Sequence, residues 1–152
     1  MDPRDLILSR TLACTPEAAF RCWTEPDLLR RFFAPRPGLT TGAEIDLRPG
    51  GRFYTVMQFE EWGEIATEGC VLLVEPGRRL VFTDALEAGF RPRAGAFFSA
   101  DLRFEPAPGG CAYRVTARHA DAETAQKHAD MGFESGWGQV AAQLEEVAQS
   151  LG

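Results

Sequence analysis

Hydrophobic positions follow three successive periods along the chain. The opening "RDLILSRTLAC" is rich in Leu and Ile and stops at "TPE", which predicts a strand and then a break. "TPEAAFRCWTEPD" carries a helix start: Thr15 as N-cap, Pro16 at the first helical position and Glu17 in the first turn. Ala19, Phe20 and Trp23 share one face of that helix, Pro26 ends it, and "PDLLRRFFAP" reads as a second short helix closed by Pro35 and Pro37. From Gly38 to His119 the period becomes two, with turn signals at "PGG", "EPG" and "APGG", so strands follow one another as an antiparallel meander. "EEWGE" reads as a solvated connection and "EAGFRPRAG" as a longer loop. A helix capped by Asp121 then runs to the end, where Phe133, Trp137, Val140, Leu144, Val147 and Leu151 form one apolar stripe.

The order is therefore strand, two short helices, about six strands and one long helix. A helix lying across a curved sheet covers one face and leaves room for a hollow, the kind of concave apolar place where small molecules bind. Within the long helix, "MGFESGWGQV" is unusual. Gly132 and Gly136 stack four apart beside the bulky stripe, Ala125 and Ala129 continue that small edge, and Gly138 lies off it without a role. Close backbone approach is the expected cause; a cavity entrance walled by Phe133 and Trp137 is the alternative.

Composition narrows the partners. A net charge of −6 and a pI near 5.0 disfavour phosphate backbones, and the basic clusters at residues 30–31, 78–79 and 91–93 are short and scattered. Cys14, Cys22, Cys70 and Cys111 contain no CxxC pair and lie far from either histidine, which argues against zinc and for reduced thiols. The polar start "MDPRDLIL" lacks the apolar core of a secretory signal, and the apolar runs are too short to span a bilayer, so a cytoplasmic protein is expected.

The ordered segments "TPEAAFRCWTEPDLLRRFFAP", "DLRPGGRFYTVM", "EGCVLLVEPGRRLVFTDAL" and "RHADAETAQKHADMGFESGWGQVAAQLEEV" resemble the START-like (SRPBCC) superfamily. Within it they are most similar to bacterial proteins of the activator of heat shock protein 90 ATPase homology type, also labelled polyketide-cyclase-like. The resemblance implies a single α+β domain over residues 1–152 with the helix-grip fold. A seven-stranded curved antiparallel sheet would wrap a long C-terminal helix, with two short helices between strands 1 and 2 and a cavity between sheet and helix. Relatives bind lipids, sterols or polyketides, some catalyse cyclisation or hydrolysis, and the eukaryotic namesake activates a chaperone ATPase. The chain shows only the C-terminal-type domain of that activator, so direct ATPase stimulation is not expected.

Alternation along the strands selects candidates for the cavity. Arg114, Thr116 and Arg118 share one face of the last strand, which turns Tyr113, Val115, Ala117 and His119 inward. In "AFFSADLRFEP" the inward set is Phe98, Ala100, Leu102 and Phe104, with Asp101 and Arg103 outward. Two strands stay open. Phe82 and Asp84 oppose Val81 and Thr83, and Phe53, Thr55, Met57 and Phe59 oppose Tyr54, Val56 and Gln58. The ligand-binding candidates are Tyr54, Met57, Phe82, Asp84, Phe98, His119, Phe133 and Trp137. His119 can serve as base or ligand donor, or simply bond the backbone, and His128 reads as a helix surface residue. No catalytic set such as GxSxG is present, and "RPGGR" precedes a strand rather than a phosphate-binding helix. The expected function is binding of a small apolar ligand of lipid, polyketide or aromatic type. The alternatives are a cyclase or hydrolase using the same cavity, and a chaperone partner protein. No metal, cofactor, nucleic acid or membrane insertion is implied, and the chain is expected to be a monomer or homodimer.

Overall fold

Strand β1 (Asp5–Leu12) opens the chain in the computed structural model, which describes residues 1–151. Helix α1 (Pro16–Thr24) starts as its cap predicts, with the Thr15 hydroxyl accepting the Ala18 N–H at 3.1 Å. Helix α2 (Pro26–Leu29) follows directly. Strands β2 (Leu39–Ile45), β3 (Arg52–Phe59), β4 (Gly63–Glu75) and β5 (Arg79–Thr83) form the meander. The next loop carries a two-residue ladder, β6 (Leu86–Glu87) with β7 (Arg91–Pro92), where the sequence suggests only irregular chain. Strands β8 (Ser99–Ala107) and β9 (Gly110–Arg118) complete a seven-stranded antiparallel sheet in the order β1-β9-β8-β5-β4-β3-β2.

The C-terminal helix is two helices, α3 (Ala122–Asp130) and α4 (Phe133–Ser150). The break falls at Gly132, whose φ of +96° suits glycine and interrupts the helical backbone. Helix α4 is the long helix of the helix-grip fold. It packs chiefly on α1 and β1, burying Phe133, Val140, Leu144 and Val147. Trp23 of α1 is fully buried and donates its indole N–H to the Tyr113 hydroxyl at 3.2 Å, joining α1 to β9.

One polar side chain fastens α4 to the chain after α2. Gln143 is 2% exposed, and its amide NH₂ donates to the Phe32 and Ala34 carbonyls, both at 2.8 Å. Its carbonyl accepts the Arg36 N–H at 2.9 Å and the Gln139 amide at 3.1 Å. The side chain thereby satisfies backbone groups that the irregular segment leaves unpaired.

The inward sets expected for β8 and β9 are buried: Ala100, Leu102, Phe104, Tyr113, Val115 and Ala117. Asp101 points outward as expected, yet it is only 1% exposed, because arginines cover it. Arg79 donates through two nitrogens at 3.0 and 2.9 Å and Arg118 through one at 2.9 Å, with Arg103 at 3.6 Å. Burial pushes this carboxyl up, but the guanidinium hydrogen bonds outweigh it and hold the pKa at about 2.

Replacing Gln143 with Leu leaves two buried carbonyls and one N–H without partners. The expected loss is about 2–4 kcal/mol, read as a fall of roughly 5–12 °C in melting temperature by calorimetry. Gln139→Leu, which removes a single exposed partner, changes stability by less than about 0.5 kcal/mol.

Candidate functional site

Between the concave face of β3–β5 and the first turns of α4 lies a cavity of about 300 Å³. Its floor is set by strand alternation: Phe53, Thr55, Met57 and Phe59 of β3 point into it, with Ile65 and Thr67 of β4 beside them. Phe82 of β5 stacks on Phe53, ring centroids 4.0 Å apart and planes 9° from parallel. The facing wall comes from α4, where Phe133, Trp137 and Val140 repeat at helical spacing. Trp137 is braced from behind by Trp23, stacked at 6.1 Å, and meets Phe98 edge-on. Gly69 continues the floor beside Ile65 and Thr67, and glycine is required there because a side-chain carbon would lie 2.7 Å from the Thr83 carbonyl oxygen.

The mouth lies between the β3–β4 turn and the α3–α4 break. Trp62 and Met131 line the cavity yet are 68% and 70% exposed, a large apolar residue on each rim. Gly136 opens onto the same space: a side-chain carbon built there meets no atom within 4 Å among the described residues. The close backbone approach expected at this glycine is therefore absent, and the position borders the cavity instead. At Gly138 a Cβ would sit 3.2 Å from the Arg10 guanidinium, the end of an exposed, flexible side chain.

Polar groups on the wall are few. Asp84 follows β5 and is half-buried, its carboxylate accepting the Phe97 N–H at 2.9 and 3.0 Å and the Phe98 N–H at 3.2 Å. These bonds pin the segment that carries Phe98 into the wall. His128 of α3 lines the cavity and is 7% exposed, a correction to its reading as a surface residue. Its ring lies against Phe97, Phe98 and Phe133, with centroids 4.7–5.1 Å away. His128 Nδ1 is 2.9 Å from His119 Nε2, and His119 Nδ1 is 2.8 Å from the Arg4 carbonyl. Burial, then the neighbouring His119, push the His128 pKa down to about 4.

Of the eight residues selected from sequence, Met57, Phe82, Asp84, Phe98, Phe133 and Trp137 share the cavity wall. Tyr54 does not. It sits on the opposite face of β3 under the Arg52 guanidinium, 4.1 Å from the ring centroid, where Arg52 also pairs with Glu44 and Glu68. The parity of Arg52, Tyr54 and Gln58 marks that face as outer. His119 turns inward but lies outside the wall, behind His128. Sequence patterning does not single out Phe33, Phe53, Phe59, Trp62, Ile65 and His128, which also line the wall; for the β3 pair, the charge of Arg52 on the other face is the signal.

A crystal structure of a protein from Nitrosomonas europaea is 38% identical, superposes with a TM-score of 0.95, and aligns over 99% of this chain and 98% of its own. A protein from Rhodobacter sphaeroides, 22% identical with a TM-score of 0.84, aligns over 98% of this chain and 95% of its own. The solution structure of an AHSA1-like protein from Aeromonas hydrophila is also 22% identical, with a TM-score of 0.72 over 97% of this chain and 93% of its own. At 22% identity the last two show a shared fold alone. A search of curated proteins returns no match. The family model described as "Activator of Hsp90 ATPase homolog 1-like protein" matches residues 13–149, and the chain belongs to that family.

Proposed function

We propose that the protein binds a small, mainly apolar molecule in the cavity between β3–β5 and α4. The observation that carries this reading is the open, aromatic-walled space beside Gly136. A helix that needed only to pack would gain about 1 kcal/mol from alanine at that position, and nothing in the fold obstructs one. Glycine there keeps the space clear. At about 300 Å³ the cavity stands at the lower end of small-molecule sites, which favours a compact ligand of one or two rings over a long lipid.

A catalytic role has less support. His128 faces the cavity, but the wall offers threonines rather than a cysteine or serine beside it. The family's description points to a chaperone partner as the second reading, and it rests on the family match alone.

Two outcomes are expected. N-phenyl-1-naphthylamine, a neutral dye that brightens in apolar surroundings, binds the wild-type protein. Gly136→Leu raises stability by about 0.5–1 kcal/mol through helix propensity while weakening dye binding at least about tenfold. A dye that ignores the wild type, or binds the variant equally well, contradicts the reading.

The second concerns pH. The folded-state pKa of His128 lies below its unfolded value near 6.5, so the unfolded chain takes up the proton first as pH falls. The stability that neutral His128 contributes is complete above about pH 6.5 and is lost progressively toward pH 4. The loss is about 2–3 kcal/mol in denaturant titrations, and His128→Phe removes most of it.

A further inference from the structure

We infer that the cavity selects a neutral aromatic ligand bearing a hydroxyl group, and that His128 Nε2 accepts the hydroxyl's hydrogen bond. This rests on the cavity being a binding site and adds the chemistry of what enters it.

Hydrogen-bond polarity is passed along a chain of three groups. The Arg4 carbonyl can only accept, so His119 Nδ1 carries a hydrogen toward it. In a neutral imidazole the other nitrogen is then bare, so His119 Nε2 accepts. The 2.9 Å contact therefore requires the hydrogen on His128 Nδ1. His128 Nε2 is left as a bare acceptor. It makes no hydrogen bond among the described residues and is not sealed inside the protein, while its ring lines the cavity. The Arg4 carbonyl next to β1 thus dictates, through two rings, that the cavity-lining His128 presents an acceptor.

Charge sets the second condition. Among the described residues no Lys or Arg belongs to the wall, and Asp84 supplies a carboxylate there. The Arg93 guanidinium is held on the Glu68 and Asp84 carbonyls, outside the wall. An anionic ligand would enter an apolar space that holds a carboxylate and no counter-charge. The walls therefore disfavour carboxylates such as fatty acids, and aryl ethers leave the imidazole acceptor unpaired. A phenol or naphthol satisfies both conditions and fills the space between the Phe53–Phe82 stack and Trp137 with its ring.

Calorimetric titration at pH 7.5 with 2-naphthol, 2-methoxynaphthalene and 2-naphthoate tests this. The naphthol is expected to bind roughly tenfold tighter than the ether, and the carboxylate more weakly than either. His128→Phe should equalise naphthol and ether while the ether still binds. Equal affinity of naphthol and ether for the wild type, or tightest binding of naphthoate, overturns the inference and leaves the cavity reading standing. Failure of both neutral compounds to bind removes both. Imidazole ¹⁵N spectra of the wild type give a test free of any variant's folding. They should show His128 Nε2 bare and shifting on addition of 2-naphthol, and a hydrogen on that nitrogen in the free protein overturns the inference.

Discussion

A helix about 10 Å wide cannot cover a sheet of seven strands spaced about 4.8 Å apart. The rest of this structure depends on that mismatch. Helix α4 lies toward the β1 side with α1, and α2 reaches β2 at the other edge. The concave face of β3–β5 is left with less cover than a solid core requires, and curvature turns the remainder into a hollow. Aromatic pairs keep it from collapsing: Phe53 and Phe82 stiffen the floor, and Trp23 backs Trp137 on the wall. Gln143 fixes the height of α4 by bonding backbone groups on the irregular chain after α2.

Buried polar groups on the two faces of the sheet are handled in different ways. On the convex face Asp101 is ionised and saturated by arginines, a structural cluster with no opening. On the concave face burial holds His128 neutral, and a hydrogen-bond chain joins it through His119 to the Arg4 carbonyl. Desolvation opposes charge in both places; three guanidinium groups overcome it at the Asp101 carboxylate, whereas at His128 the neighbouring His119 adds to it. The convex cluster holds β5, β8 and β9 together, while the concave one borders the cavity through His128.

Much of this was legible in the sequence, and the reasons for the rest are specific. Strand faces could be read wherever an arginine or a run of large apolar residues broke the symmetry, as in β8 and β9. In β3 both faces carry aromatic residues, and only Arg52 and Gln58 distinguish them, so Tyr54 was selected from the wrong side. The order of elements resembles that of the helix-grip fold, but the α3–α4 break depends on a left-handed Gly132 that a helical pattern does not reveal. His128 sits in the polar stretch "AETAQKHAD". It is buried because α3 brings the end of that stretch beside His119 and the Phe97–Phe98 segment, a contact between distant parts of the chain. The spacing of Ala125 and His128, both buried on one helical face, was the only local trace of it.

Belonging to the Activator of Hsp90 ATPase homolog 1-like family leaves several activities open, and the hollow is what this chain contributes to the choice among them. The central claim is that the hollow is a preformed, accessible, apolar space rather than a gap that closes in solution. Xenon diffraction from a pressurised crystal tests it most directly, because xenon enters dry apolar cavities without needing a particular ligand. The account predicts xenon density bounded by Met57, Phe82 and Trp137, with those side chains unmoved. A xenon-free space, with Trp137 or a phenylalanine turned in to fill it, would contradict the account.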